Sequence, residues 1–425
     1  MREQQRMDVY GISALSNYTA QRQAPSKEDF DVPTSLELFA GGGGMALGLH
    51  RAGFTNRGLV EFEPKACDTL VRNAERWATG ESNDPAWNVH MVHCADVRHL
   101  LTSDTLAGVG DIDLLAGGPP CQPFSLGGEH RGDQDSRNMF PAALDYVREL
   151  RPRLVVFENV PGLTRPSLAP YFDYVEDQLR RPTIAPKTGE TWREHAARLA
   201  ARRTGQLHTR YHVTRQIIDS ANLGVPQSRR RVFLMGVRAD LMDGPVPEVP
   251  RTHSAEALAW AKWVEPTYWA EHDLPEPPRP DGLTDARLLE MKKAGPPSAR
   301  RWRTVRDAVV GLPEPVDGRP APGVLNHTGV PGARSYAGHT GSAIDSPSKT
   351  IKAGVHGVCG GEAMIRFDDD TLRYLTVRES ARVQTFPDDY EFVGARSHAM
   401  RHIGNAVAVA VAEAVGRHLR EHTGV

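Results

Sequence analysis

The sequence predicts an α/β fold: a doubly wound, mostly parallel sheet into which a smaller irregular domain is inserted. Three observations predict it. Short apolar runs alternate with helical stretches through residues 34–240. The first run, Ser35 to Phe39, breaks into Ala40-Gly-Gly-Gly-Gly44 and then resumes as a helix from Met45. Near residue 240 the composition changes to a Pro- and Gly-rich stretch without a sustained period. Strand, glycine turn and helix together open a Rossmann-like nucleotide-binding unit.

Residues 1–33 show little periodicity and read as an N-terminal tail. Residues 34–240 form the larger unit. Its strand candidates are Ser35–Phe39, Gly58–Phe62, Val89–His93, Ile112–Leu115 and Leu154–Glu158, extended by Tyr211–Ile218 and Arg231–Val237. Helices are expected at Pro64–Trp77 and Met139–Leu150. Residues 241–343 are the irregular insert, broken by Pro245, Pro247, Pro250, Pro275, Pro277, Pro278 and Pro280. Residues 344–425 return to the first unit. Thr376 to Glu379 has capping-box spacing, and Gly404–Leu419 reads as one helix with Val407, Ala410, Val411, Ala414 and Val415 on its apolar face.

A net charge of −2 excludes a polycation, so any nucleic-acid contact must rest on locally concentrated charge. The chain has no run of roughly 20 apolar residues, the length a membrane span needs, and the polar start lacks a signal-peptide core. A cytosolic protein without membrane contact is expected. Cys67, Cys94, Cys121 and Cys359 are scattered with no C-x-x-C pair, so neither a metal site nor a disulfide framework is expected.

Gly41, Gly43 and Ala46 match G-x-G-x-x-A, and Glu61 lies about 20 residues on, where a ribose-binding acid belongs. A nicotinamide dinucleotide and S-adenosylmethionine fit this turn equally well, as does a purely structural turn. Gly117 to Ser125, reading Gly-Gly-Pro-Pro-Cys-Gln-Pro-Phe-Ser, is more informative. It follows a strand, and the prolines flanking Cys121 fix the backbone around its thiol. Glu158 ends the next strand and can point into the same crevice, making a nucleophile with an acid partner. In Gln227-Ser-Arg-Arg-Arg231, Arg229 and Arg231 share one face of an extended segment and can grip a carbonyl or phosphate.

In this order the segments resemble the motif set of DNA (cytosine-5) methyltransferases of the bacterial type. The match runs through Phe39-Ala-Gly-Gly-Gly-Gly44, Glu61, Pro119 to Ser125, Glu158-Asn-Val160 and Gln227-x-Arg-x-Arg231. Arg378 to Pro387 and Ile403-Gly-Asn-Ala-Val407 complete it. The resemblance implies the class I S-adenosylmethionine-dependent methyltransferase fold, with Cys121 as nucleophile and Glu158 holding the N3/N4 edge of cytosine. Arg229 and Arg231 would orient the flipped base. Phe39, Gly41, Gly43, Glu61, Phe62, Asp96, Val97, Asn405 and Val407 would surround the methyl donor. The family usually continues Gly-Asn-Ala-Val with Pro-Pro; here Ala408 and Val409 follow, which should extend the helix smoothly.

The resemblance makes residues 241–343 the target-recognition domain and duplex DNA the partner. Met291 to Arg306 has six cations and no acid, so Arg300, Arg301 and Arg303 are candidate phosphate contacts, with Gln227 a further DNA-contact candidate. A second basic stretch, 180–215, reads as a solvated helix face. A monomer working beside a cognate nuclease or defence complex is expected. The alternatives are a transfer-RNA methyltransferase of the same fold and a catalytically silent DNA-binding regulator. The large insert argues against the first and the intact Cys121, Glu158 and arginine set against the second.

Overall fold

The computed structural model describes residues 32–80, 85–101, 109–120, 138–201, 209–337, 339–353 and 363–425. The predicted nucleophile Cys121 lies outside the described residues, as does most of the N-terminal tail.

The central strands are β1 (Thr34–Leu38), β2 (Thr55–Glu61), β3 (Val92–Cys94), β4 (Leu114–Gly117), β5 (Leu154–Asn159), β6 (Tyr211–Asp219) and β7 (Arg230–Arg238). They lie in the order β3-β2-β1-β4-β5-β7-β6. β1 to β5 pair in parallel, and β7 runs antiparallel to both β5 and β6. The strand order reverses between β1 and β4, and in open α/β sheets ligands bind at the carboxyl ends beside such a reversal.

Burial on both faces explains why β4 and β5 read as continuous apolar runs. Leu115, Val155 and Phe157 pack on one face with Leu144 and Val147 of the helix Phe140–Leu150 and with Phe172 and Val175 of the helix Ala169–Arg180. Leu114, Ala116, Leu154 and Val156 pack on the other with Met45, Leu49, Val411 and Val415. In chain order the helices of the main body are α1 (Gly44–Arg51), α2 (Pro64–Ala78), α3 (Val97–Leu100), α4 (Phe140–Leu150), α5 (Ala169–Arg180) and α6 (Trp192–Ala201). The insert holds α7 (Ala255–Trp263), α8 (Thr267–Glu271), α9 (Asp285–Ala294) and α10 (Val305–Val309), with the two-residue strands β8 (His253–Ser254) and β9 (Arg300–Arg301). After it come α11 (Val377–Val383), α12 (Arg396–Asn405) and α13 (Val409–Thr423).

Four expectations need correction. Val89–Met91 is a 3-10 turn, and only Val92–Cys94 pairs with β2. Gly404–Leu419 is not one helix: α12 ends at Asn405, Ala406 to Ala408 are extended, and α13 starts at Val409. The break has a cause, because Gln384 accepts Val409 N–H on its carbonyl and donates its amide to Ile403 O and Ala406 O. The turn brings α13 onto α1, where a Cβ on Gly44 would stand 2.3 Å from Val407 O and one on Gly48 2.4 Å from Val409 O.

The insert is less irregular than its prolines suggest. Leu258, Ala261, Tyr268 and Trp269 form its own small core, joined by Trp263, Leu274 and Trp302. Val305 and Ala308 belong instead to the main body's core, with Ile344, Ala381 and Phe386. Finally, Cys67 and Cys94 form a disulfide with Cα atoms 5.8 Å apart. β3 pairs with β2, and α2 follows β2, so the register brings together two residues that no sequence spacing had linked.

Candidate active site

Glu158 occupies the carboxyl end of β5, where its backbone pairs with Phe233 on β7. Only 7 % exposed, it is enclosed by the sheet rather than by water. Its Oε2 stands 3.4 Å from where a Cβ on Gly118 would lie, so the carboxyl hangs over the strand end leading to Pro119, Pro120 and Cys121. Arg231 Nε reaches Glu158 Oε1 at 2.9 Å. Burial raises the Glu158 carboxyl above the usual range, opposed by the charges of Arg231 and Arg229.

Arg229 is 4 % exposed, and burial beside Arg231 lowers its guanidinium to about 9. Its NH1 donates to Ile351 O at 3.2 Å, while its buried Nε has no hydrogen-bond partner among the described residues. Burial lowers Arg231 too, opposed by Glu158. Two desolvated guanidiniums around one carboxyl form a preorganised donor set suited to a planar polar ligand. A pocket joins both arginines to Phe233, Val407 and Ala408.

Asn159 is the residue that motif reading passed over, although it stands in the same Glu-Asn-Val string. Its Nδ2 donates to Pro119 O at 2.7 Å, tying the end of β5 to the stem that carries Cys121. Its backbone pairs with Val232 on β7.

The nucleotide-type turn is strained as such turns are. Phe39 has φ 58°, Gly41 54° and Gly43 78°. A Cβ on Gly41 would meet only Phe39 O, at 3.9 Å, so that side of the turn is open to a ligand. Glu61 holds the turn from behind. Its Oε2 accepts from Gly41 N at 2.7 Å, and its Oε1 accepts from Phe62 N at 2.9 Å and Glu63 N at 2.7 Å. Phe62 leaves 72 % of its surface bare beside this carboxylate. Asp96 caps α3 by accepting from Arg98 N, and the Arg98 guanidinium holds its carboxyl below the usual range. Val97 is buried behind it, Val407 is buried against the turn, and Asn405 is exposed at the end of α12. His402, absent from the motif reading, packs behind Gly42 and bonds Glu63 Oε2 at 2.9 Å.

The DNA candidates divide. Arg300 and Arg303 are exposed. Arg301 is tied to Glu271 and Asp307, and Arg306 to Asp345 and Asp368. Gln227 is a correction. It is fully buried, donates to Gln384 Oε1 at 2.8 Å and accepts from Ile351 N at 2.8 Å, so it cannot reach DNA. It braces the segment that lies on Arg229. In the other basic stretch, Arg180, Arg198 and Arg215 are paired with acids.

β8 and β9 dock on the turn after β6: Thr252 N donates to Asn222 O at 2.9 Å and Trp302 Nε1 to Asn222 Oδ1 at 3.1 Å. Arg300 and Arg303 therefore stand near the turn at which β6 finishes, at the same end of the sheet as Glu158 on β5 and Arg229 and Arg231 at the start of β7.

The C-5 cytosine-specific DNA methylase family model matches residues 34–181, 202–277 and 324–421. The type II methyltransferase M.NgoMIV of Neisseria gonorrhoeae is 31% identical over 388 residues, covering 91% of this chain and 96% of that protein. M.Eco47II of Escherichia coli is 30% identical over 393 residues, covering 91% of this chain and 78% of that protein. Among solved structures, S. pombe Dnmt2 methyltransferase aligns with a TM-score of 0.52 at 17% identity, over 92% of this chain and 98% of that one. Entamoeba histolytica methyltransferase EhMeth aligns at 0.53 and 12% identity, over the same shares; these two likenesses speak to fold alone. The chain belongs to the C-5 cytosine-specific DNA methylase family and is a DNA (cytosine-5) methyltransferase.

Proposed function

We propose that this enzyme methylates C5 of a cytosine rotated out of duplex DNA, through a covalent bond between Cys121 and C6. The observation that carries the reading is the buried Glu158 carboxyl, raised by burial, paired with Arg231 and poised over the Gly118–Pro120 stem. S-adenosylmethionine, when bound, supplies a methyl group on a positively charged sulfur. The open Gly41 turn, the bare Phe62 ring and the Glu61 carboxylate fit its backbone-approaching, aromatic and ribose parts.

Carbon 5 of cytosine is a poor nucleophile on its own. Addition of the Cys121 thiolate to C6, with a proton from Glu158 at N3, gives C5 the electron density of an enamine. C5 can then take the methyl group from sulfur, which is left as a neutral thioether. Water takes the C5 proton, N3 returns its proton to the Glu158 carboxylate, and Cys121 departs as the thiolate as the ring regains aromaticity. Arg229 and Arg231 hold the oxygen side of the base and keep Glu158 aimed at N3. The base must leave the stack to reach this edge. Arg300 and Arg303 neutralise phosphates, and the insert reads the target sequence. Protection of host DNA beside a cognate nuclease fits the type II relatives, and a monomer suffices for a single duplex site.

A 5-fluorocytosine at the target tests the whole scheme. Fluorine cannot leave C5 as a proton does, so the adduct should persist through denaturing electrophoresis, and Cys121→Ala protein should form none. A donor-binding protein that leaves no adduct on fluorinated DNA with a verified target would refute the covalent scheme.

A further inference from the structure

We infer that Tyr171 is a positioning residue for the nucleophile, and that residues 182–201 form a buttress holding it in place. The inference rests on Cys121 being that nucleophile. Pro120, its immediate neighbour in the chain, accepts Met139 N–H on its carbonyl at 3.0 Å. Asn138, next to Met139, is 8 % exposed. Its Nδ2 donates to Tyr171 Oη at 2.5 Å, and its Oδ1 accepts from Phe140 N at 3.3 Å as α4 begins. A short bonded path thus runs from Tyr171 to the peptide preceding Cys121.

Tyr171 is held from behind by residues outside the family match, which stops at 181 and resumes at 202. Trp192 stands edge-on to the Tyr171 ring, centroids 5.6 Å apart at 89°, and also packs on Tyr174 at 5.7 Å. Tyr174 Oη lies 2.8 Å from Nδ1 of the fully buried His195, whose Nε2 lies 2.8 Å from Ile184 O. A ring nitrogen facing a carbonyl must carry the proton, so Nδ1 accepts from the tyrosine and the neutral imidazole is locked in one tautomer. Burial lowers the His195 pKa, in keeping with that neutral form. The segment is therefore a wall whose buried His195 has both ring nitrogens partnered, with Trp192 packed against the tyrosine that ties down Asn138. Placement errors near 1 Å cost up to about a hundredfold in rate, so a wall of this kind acts on turnover without touching donor or DNA.

The test uses the full-length protein and the variants Tyr171→Phe, Trp192→Ala and Trp192→Phe. Single-turnover methyl transfer, equilibrium binding of donor and of DNA, and iodoacetamide alkylation of Cys121 read by peptide mass spectrometry are measured together. Tyr171→Phe keeps the ring and removes the hydroxyl that Asn138 bonds, so the transfer rate should fall about three- to tenfold with both affinities unchanged. Trp192→Ala should lower it similarly, Trp192→Phe should restore most of it, and the Cys121 alkylation rate should move with the transfer rate. Wild-type transfer and alkylation rates in both Tyr171→Phe and Trp192→Ala would overturn the inference. So would a rate loss matched by an equal loss of DNA affinity, which would make the insertion a DNA contact. If the wild-type protein transfers no methyl group, the proposed function fails separately, and Cys121 alkylation still decides whether Tyr171 positions that residue.

Discussion

Replacing Glu61 separates two jobs for one carboxylate. A carboxylate offers about four acceptor sites, and three are taken by Gly41 N, Phe62 N and Glu63 N. One remains for a ribose hydroxyl. Glu61→Ala removes that charged hydrogen bond, worth about 1.5–3 kcal/mol, and also frees the Gly41 N–H that shapes the turn. Donor affinity should fall by about 2 kcal/mol, on the order of thirtyfold. Folding stability should fall by about 1–2 kcal/mol, because the freed amides near the surface are partly rescued by water. Glu61→Gln is the sharper probe. If the side chain met only ribose hydroxyls, an amide would serve nearly as well, since hydroxyls both donate and accept. Against backbone N–H groups on both oxygens, the amide NH2 must oppose one of them, so Gln should weaken donor binding nearly as much as Ala. Titration calorimetry with S-adenosylmethionine, paired with thermal melts, measures both quantities. A Glu61→Gln protein with wild-type donor affinity would refute the reasoning.

Cys121→Ser should abolish turnover while sparing donor and DNA binding; more than a few per cent of residual turnover would remove Cys121 from the nucleophile role. Arg300→Ala with Arg303→Ala should reduce the slope of log K against log salt by about 1.8, or about 0.9 for each phosphate no longer neutralised. Arg301→Ala should instead lower the melting temperature, since its partners Glu271 and Asp307 lose their cation; a salt-slope change without destabilisation would make it a DNA contact. Gln227→Leu should cost about 2–4 kcal/mol of stability by stranding Ile351 N and the Gln384 side-chain oxygen. An unchanged denaturation midpoint with weakened DNA binding would return Gln227 to the interface.

Glu158 sets a pH dependence. Its folded pKa is raised above the ordinary 4.5, so the favourable contribution of its neutral form is complete below that value and is lost as pH rises through the folded value. Methyl transfer should decline over the same interval in wild type, whereas Glu158→Gln should be slow at every pH with no such decline there. A wild-type profile that is flat through this range would remove Glu158 as the proton source.

Much of the fold was legible because its signals are local. Apolar runs of about four residues, Leu114 to Gly117 in β4 and Leu154 to Phe157 in β5, mark strands buried on both faces. Thr376 and Glu379 announce a capping box, and both of its hydrogen bonds form. The boundaries that were misread are set by partners far away in the chain. The 404–419 pattern is helical in periodicity, yet Gln384 breaks it from about 20 residues upstream. Proline content marks the insert as irregular, but the burial of Tyr268 and Trp269 supplies it with a core.

The same division runs through the site. The chain alone determined which residue types stand at which strand ends: a thiol between prolines, an acid closing the neighbouring strand, alternating arginines and a glycine turn with its acid. Backbone geometry ties such residues to one end of the sheet wherever the fold is built. Only the tertiary structure decided which of them face a ligand. Gln227 and Arg231 stand four residues apart in one motif, yet one braces the core and the other pairs with Glu158. Arg300 and Arg301 are adjacent, yet one is exposed and the other is bound to two acids. Burial and partner choice depend on elements tens to hundreds of residues away, and no local spacing encodes them.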